Sequence, residues 1–219
     1  MDNIGQPLST TILAFNYLGD VVFAMSGALT AGRHKMDVVG YLMVGAITGI
    51  GGGTLRDLLL GRRGWWTANP DELMLCVVAS LVAYFFIRNT TKHDGRIVWL
   101  DAIGLSSFAV VGAHVALTAG TPFVVAVFLG MLTATGGGVI RDVLTGTQPM
   151  ILSPGELYAT AALGGAFVYT LVVHLGGSAL IAQLSGFLTV LILRSVSILF
   201  GVRTGPPGAF LQRVRPGGH

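Results

Sequence analysis

The sequence contains one cysteine, Cys76, so an internal disulfide is excluded. Charged side chains are also scarce, because Asp, Glu, Lys and Arg make up 11% of the 219 residues while 53% are hydrophobic. This balance, with a mean hydropathy of +0.75, lies far outside the range of soluble domains. The sequence therefore predicts an all-α integral membrane protein, with a single membrane domain over residues 1–219.

Signatures of catalysis are missing too. No two histidines have the spacing of a metal-binding pair, and neither a nucleophile elbow nor a phosphate-binding loop is present. We therefore predict that the protein is not an enzyme and holds no metal or cofactor. The net charge of +3 does not indicate a nucleic-acid partner, because most basic residues lie at predicted membrane ends.

Long apolar runs divide the chain into seven predicted membrane helices. Most have about 20 residues, the length that a hydrocarbon layer of about 30 Å requires. Their approximate ranges are 8–31, 38–60, 71–88, 97–119, 122–144, 156–175 and 178–200. The tail at 201–219 is rich in Gly and Pro, so it is expected to be irregular.

The first three predicted helices repeat in the next three. A shift of 85 residues places Gly19 on Gly104 and Phe23 on Phe108 without a gap. The repeat predicts a duplication.

The duplicated units are 8–88 and 97–175, and 178–200 is a seventh helix outside them. Because each unit holds an odd number of spans, the second enters from the opposite face. The sequence therefore predicts a 3+3 inverted repeat plus one C-terminal helix.

Each unit carries a glycine triplet, followed after two residues by Arg-Asp. The triplets are Gly51, Gly52 and Gly53, and Gly136, Gly137 and Gly138. Three glycines cost a helix about 3 kcal/mol relative to alanine, so we expect the second and fifth helices to be broken there. Broken helices at membrane depth are tolerated where the backbone faces protein or a water-filled path. The triplets therefore predict the lining of a permeation route, with close helix packing through small residues as the alternative.

Arg56 and Arg141 are predicted about one turn from opposite membrane faces. Adjacent side chains point about 100° apart on a helix, so ion partners across the repeat are expected rather than Asp57 and Asp142. Each arginine with its aspartate is a candidate charged gate at one mouth. The alternatives are a structural ion pair and a contact with lipid headgroups.

Three further charged residues lie inside predicted helices. Asp20, near the middle of the first, is a candidate for attracting cations, with burial against an arginine as the alternative. Asp101 aligns with Asn16 and is a candidate either for the path or for a helix cap. Arg194 is expected to extend towards the membrane surface.

Positive charge in short loops predicts the orientation. With the N-terminus outside and the C-terminus cytoplasmic, the outer face carries Arg62 and Arg63. The inner face carries Arg33, Lys35, Arg88, Lys92, Arg96, Arg203, Arg213 and Arg215.

Seven spans, this inverted repeat and the doubled GGGxxRD motif resemble the trimeric intracellular cation (TRIC) channel family in its prokaryotic branch, over residues 8–200. The resemblance implies a homotrimer in membrane lipids, with one pore per subunit lined by kinked second and fifth helices. It implies passive conduction of monovalent cations, chiefly K⁺, with Na⁺ as a further permeant ion. The short tail indicates the inner membrane of a prokaryotic cell.

Bacterial relatives of that family are assigned to glycine transport, so a uniporter for a small zwitterion is an alternative. A structural membrane protein without flux is a third hypothesis.

Overall fold

The computed structural model describes residues 10–87, 94–153 and 157–202. Within these ranges all regular secondary structure is helical. The α-helices are α1 (Thr10–Arg33), α2 (Val38–Leu59), α3 (Trp65–Ala68), α4 (Pro70–Ile87), α5 (Asp94–Thr118), α6 (Phe123–Leu144), α7 (Ala159–His174) and α8 (Ala179–Phe200). A short 3₁₀ helix covers Met150–Leu152.

The protein is a multi-pass membrane protein. Within the described ranges, five helices are long and apolar enough to cross a membrane, namely α1, α2, α5, α6 and α8. The other two long helices, α4 and α7, have 18 and 16 residues. Each predicted helix range overlaps one of these seven, and α3 is an additional short helix. The count of seven spans stays a prediction.

Some residues behind the sequence predictions lie outside the described ranges. They are the predicted tail from residue 203 onwards, and Arg88, Lys92, Arg203, Arg213 and Arg215 among the basic residues used for orientation.

The long helices pack as two groups of three. In the first group α1, α2 and α4 contact one another, and in the second α5, α6 and α7 do so. The groups meet where α1 packs on α5 and α2 packs on α6, whereas α8 packs against α5 and α7. This arrangement places α2 and α6 side by side, each carrying its glycine triplet.

The α1–α5 contact is reciprocal. The rings of Phe23 and Phe108 stack with centroids 5.4 Å apart. The Phe108 ring covers Gly19 of α1, and the Phe23 ring covers Gly104 of α5, where a Cβ atom would collide with either ring. Glycine at both positions therefore lets the aromatic rings pack against the opposing helix.

α2 and α6 also end in the same way. Leu60 N donates to Arg56 O, and Thr145 N donates to Arg141 O, both at 3.0 Å. A glycine with positive φ follows in each case, Gly61 at 67° and Gly146 at 66°, which is the usual way for a helix to stop. Each arginine therefore lies in the last turns of its helix.

Candidate functional site

The glycine triplets lie where α2 crosses α6. A Cβ atom on Gly52 would collide with the carbonyl oxygen of Thr133, and one on Gly137 with the carbonyl oxygen of Thr48. Neither carbonyl can move away without shifting its own helix. The two central glycines thus allow the helix backbones to touch.

The predicted interruption of the helices is not seen. Both α2 and α6 are continuous α-helix through Gly51–Gly53 and Gly136–Gly138. The low helix propensity of glycine is offset here by close packing, since tertiary contacts routinely override propensity. Packing through small residues, the alternative drawn from the sequence, is therefore what the structure shows at this crossing.

At the end of α2, Arg56 and Asp57 form a buried ion pair. Arg56 Nε donates to Asp57 Oδ1 at 2.8 Å. Asp57 Oδ2 also accepts from Trp65 N at 3.0 Å, which ties the loop after α2 to the helix.

Two more carboxylates belong to this first charged site. Asn16 Nδ2 donates to Asp20 Oδ2 at 3.1 Å and also to Glu72 Oε1 of α4. Both acids are buried, and Arg56 interacts electrostatically with each of them. We define the first charged site as Asn16, Asp20, Arg56, Asp57 and Glu72; among these residues carboxylates outnumber guanidinium groups.

The second charged site lies at the end of α6. Arg141 Nε donates to Asp142 Oδ1 at 2.8 Å. Arg141 Nη1 donates to Asp101 Oδ1 of α5 at 2.8 Å and to Ser26 Oγ of α1 at 2.6 Å. Asp142 Oδ2 accepts from Met150 N at 3.2 Å, the counterpart of the Asp57 contact with the following loop. Arg141 therefore connects three helices.

Tyr158 and Arg194 complete the second charged site. Tyr158 is fully buried, and a Cβ atom on Gly138 would lie 2.7 Å from its hydroxyl and 3.6 Å from Asp101 Oδ1. The Arg194 guanidinium of α8 lies over the Tyr158 ring, 5.2 Å from its centroid. We define the second charged site as Ser26, Asp101, Arg141, Asp142, Tyr158 and Arg194.

The two sites lie at different levels along α1. The first contains Asp20 and the second Ser26, which are about 9 Å apart along the helix axis at 1.5 Å per residue. The crossing glycines of α2 and α6 lie between the two arginines in the helix pair, since Gly52 and Gly137 each precede their arginine by about one turn.

Three sequence predictions about these residues need correction. Arg56 and Arg141 do pair with the adjacent aspartates, because the long guanidinium side chain folds back and donates from Nε. Asp101 is not a helix cap, since it lies inside α5 and pairs with Arg141. Arg194 does not extend to the membrane surface, because only 1% of it is exposed.

Sequence reasoning missed Ser26, Glu72 and Tyr158 altogether. Glu72 lies in the first turn of α4, directly after the exposed Asp71. Its apolar neighbours Leu73, Met74 and Leu75 were the available signal, since a carboxylate at the edge of an apolar run needs a partner.

Comparison with known proteins decides the family. The model of the glycine transporter family matches residues 13–88 and 98–174, which is more than half of the chain. The chain belongs to this family. The expected absence of enzymatic activity is supported, because the matched family and the solved structures below are transporters and channels.

Bacterial membrane proteins are among the relatives of this glycine transporter family member. The UPF0126 inner membrane protein YadS of Escherichia coli K12 is 36% identical over 184 residues, covering 83% of this chain and 88% of that protein. A UPF0126 membrane protein of Vibrio cholerae is 36% identical over 194 residues, covering 85% and 79%.

Solved TRIC channels share the fold of this glycine transporter family member. A trimeric intracellular cation channel orthologue from Rhodobacter sphaeroides matches with a TM-score of 0.85 at 38% identity, covering 89% of this chain and 100% of that one. A prokaryotic TRIC channel crystallised in 0.5 M KCl matches with a TM-score of 0.82 at 33% identity, covering 89% and 98%. The resemblance to the TRIC family is confirmed.

Proposed function

We propose that this protein is a homotrimeric channel for monovalent cations, chiefly K⁺, with one pore per subunit lined by α2 and α6. The observation that carries the proposal is the pair of buried charged sites, one near the end of each of these two helices. Ionisable residues inside a membrane protein are costly, and by default they mark an ion or substrate path.

The inverted repeat is part of this proposal. The contacts Gly52 to Thr133 and Gly137 to Thr48 exchange on a shift of 85 residues, as do the Arg56 and Arg141 pairs. A pathway built on such a repeat has two mouths of related structure. We assign the first charged site to the outer mouth and the second to the cytoplasmic mouth, with the N-terminus outside.

The roles of the site residues follow from this arrangement. Arg56 with Asp57 and Arg141 with Asp142 gate the two mouths, Asp20 and Asp101 face the path, and the glycines permit the helix crossing. No cofactor is required, because permeation needs a path and charge complementarity only. Lipids surround the trimer.

Structural relatives support conduction. Three neighbours with TM-scores of 0.81 to 0.85 are described as TRIC channels, two of them as cation channels, and one of these two in a study of conductance. The carboxyl oxygens of both charged sites are groups that suit a permeant cation.

A glycine uniporter is the second candidate, favoured by the description of the family itself. Both charged sites contain a guanidinium and carboxylates, which complement a zwitterion. However, broken-helix transporters bind a substrate carboxylate at half-helix N-termini, and α2 and α6 are continuous. This difference favours the channel.

Recordings from purified protein in planar bilayers with asymmetric KCl test the proposal. We expect discrete unitary currents and a reversal potential close to that of a cation-selective pore, from a protein whose mass in detergent is that of a trimer. Saturable glycine counterflow without current would support the uniporter instead. Absence of both would indicate a structural role.

A further inference from the structure

Lys35 has an unusual backbone conformation. Among the residues that the structure describes, it is the only one other than glycine with a positive φ, at 55°. L side chains rarely adopt this left-handed region, because the Cβ atom comes too close to the backbone. Lys35 follows the end of α1, where helices commonly use glycine.

The sequence repeat supplies that glycine for comparison. A shift of 85 residues places Lys35 on Gly120, which follows the end of α5 with a φ of 79°. The two helix ends share a closing hydrogen bond of 3.2 Å, in which Met36 N donates to Ala31 O and Thr121 N donates to Ala116 O. The same backbone is therefore built with glycine in one half and with lysine in the other, and the lysine is strained.

The two helix ends also differ in exposed charge. The first contains Arg33, His34, Lys35 and Asp37, all of them exposed, whereas residues 118–122 include no ionisable side chain. With each long helix crossing the membrane once, the two ends lie at opposite faces. Because the backbone is shared, the fold of the helix end does not explain the lysine. Its charge points to a partner outside the chain, on one side of the membrane.

The surroundings of Lys35 indicate what that partner is. Within the described part of the chain Lys35 forms no ion pair, and the carboxylate of Asp37 caps α2 by accepting from Gly40 N at 2.9 Å. The exposed side chains of Val38 and Val39 follow at the start of α2. Lys35 therefore lies where the apolar surface of the protein ends, which is the level of the lipid headgroups in a bilayer.

We propose that Lys35 binds the phosphate of an anionic phospholipid headgroup and so holds the end of α1 at one membrane face. The lysine ammonium is a compact positive charge with three N–H donors, which suits phosphate oxygens. Its attraction to an anionic membrane surface offsets the strain of the left-handed backbone. This inference goes beyond the proposed channel function and does not depend on it.

Thermal unfolding in neutral detergent, with short-chain phosphatidylglycerol added in steps, tests the site. We expect this anionic lipid to raise the unfolding temperature of the wild type. K35Q should need about fivefold more lipid for the same rise, which is the contribution of one lysine to binding an anionic membrane. K35R keeps the charge and should need as much lipid as the wild type.

K35G separates the backbone from the charge. Glycine adopts a positive φ without strain, so in the absence of lipid K35G should unfold about 2 to 4 °C above the wild type. It should nevertheless need about fivefold more lipid, as K35Q does. The matched control is R63Q, which removes an exposed positive charge from the loop after α2 and should leave the lipid response unchanged.

Two other additives identify the source of the phosphate. Short-chain phosphatidylcholine has no net charge and glycerol phosphate has no acyl chain, so neither should stabilise the wild type as phosphatidylglycerol does. The proposal is overturned if either of them does so, if K35Q responds like the wild type, or if R63Q loses as much as K35Q. It is also overturned if K35G is no more stable than the wild type without lipid. Ion currents play no part in these measurements, so failure of the channel proposal would leave this inference standing.

Discussion

The two charged sites contain the same arginine–aspartate pair but differ in the residues around it. At the first, Asn16 holds Asp20 and Glu72 beside Arg56. At the second, Arg141 binds Asp101 directly, and Arg194 adds a further positive charge. The acids around Arg56 are therefore held partly by an amide, whereas those around Arg141 are bound by the guanidinium itself.

The difference falls at equivalent positions of the repeat. Asn16 corresponds to Asp101, and Leu73 corresponds to Tyr158. The backbone contacts at the helix crossing exchange on the same shift. The duplicated packing holds the two halves together, whereas a few unmatched side chains surround the two arginines with different partners.

Loss of Arg141 should be the most damaging change in this comparison. Arg141→Gln leaves the fully buried Asp101 without its ionic partner, which costs about 3 to 5 kcal/mol. Arg56→Gln should cost less, because Arg56 interacts with Asp20 and Glu72 through charge alone and its hydrogen bond goes to Asp57 within α2, whereas Arg141 is hydrogen-bonded to α1 and α5. Thermal unfolding in detergent measures both variants.

Arg141→Lys is the control, because lysine keeps the positive charge but lacks the forked geometry of arginine. Its thermal stability should lie between those of the wild type and Arg141→Gln. Equal losses of stability for Arg56→Gln and Arg141→Gln would contradict the structural difference between the sites.

The positions of the helices and the repeated motif could be predicted from the sequence. The length of an apolar run is a local signal, and a repeat without gaps is a periodic one. The hydrogen-bond partners of the buried polar residues could not be predicted in this way. Arg141 and Ser26 are 115 residues apart, and Asn16 and Glu72 are 56 apart. The sequence also did not predict that α2 is continuous. The low helix propensity of glycine applies to an isolated helix, whereas α2 is packed against α6.

The glycine crossing should respond equally in both halves. Gly52→Ala and Gly137→Ala each push a Cβ against a backbone carbonyl, so each should lose about 1 to 3 kcal/mol of stability and most of the cation flux. Gly95→Ala is the control, because a Cβ there meets nothing within 4 Å. Flux assays and thermal unfolding should give matched losses for the pair. If one of the two substitutions left stability and flux unchanged, the two halves of the crossing would not be equivalent in function.

Glu72→Gln should produce the smallest effect and isolates the negative charge of the first site. Gln keeps an oxygen that can accept from Asn16 Nδ2, so charge changes while the hydrogen bond is retained. The cation-to-anion permeability ratio should fall by at most about twofold, which is the effect of one full unit charge at about 8 Å in water. The reversal potential in asymmetric KCl measures it.

Asp71→Asn is the matched control for Glu72→Gln, since it makes the same change one residue earlier in α4 on an exposed side chain. Salt screens exposed charges within about 8 Å at physiological ionic strength, so its shift in reversal potential should be smaller. Equal shifts for the two variants would mean that general surface potential, rather than the buried carboxylate, attracts cations. The first site would then lose its distinction from the second, where the position equivalent to Glu72 is Leu157.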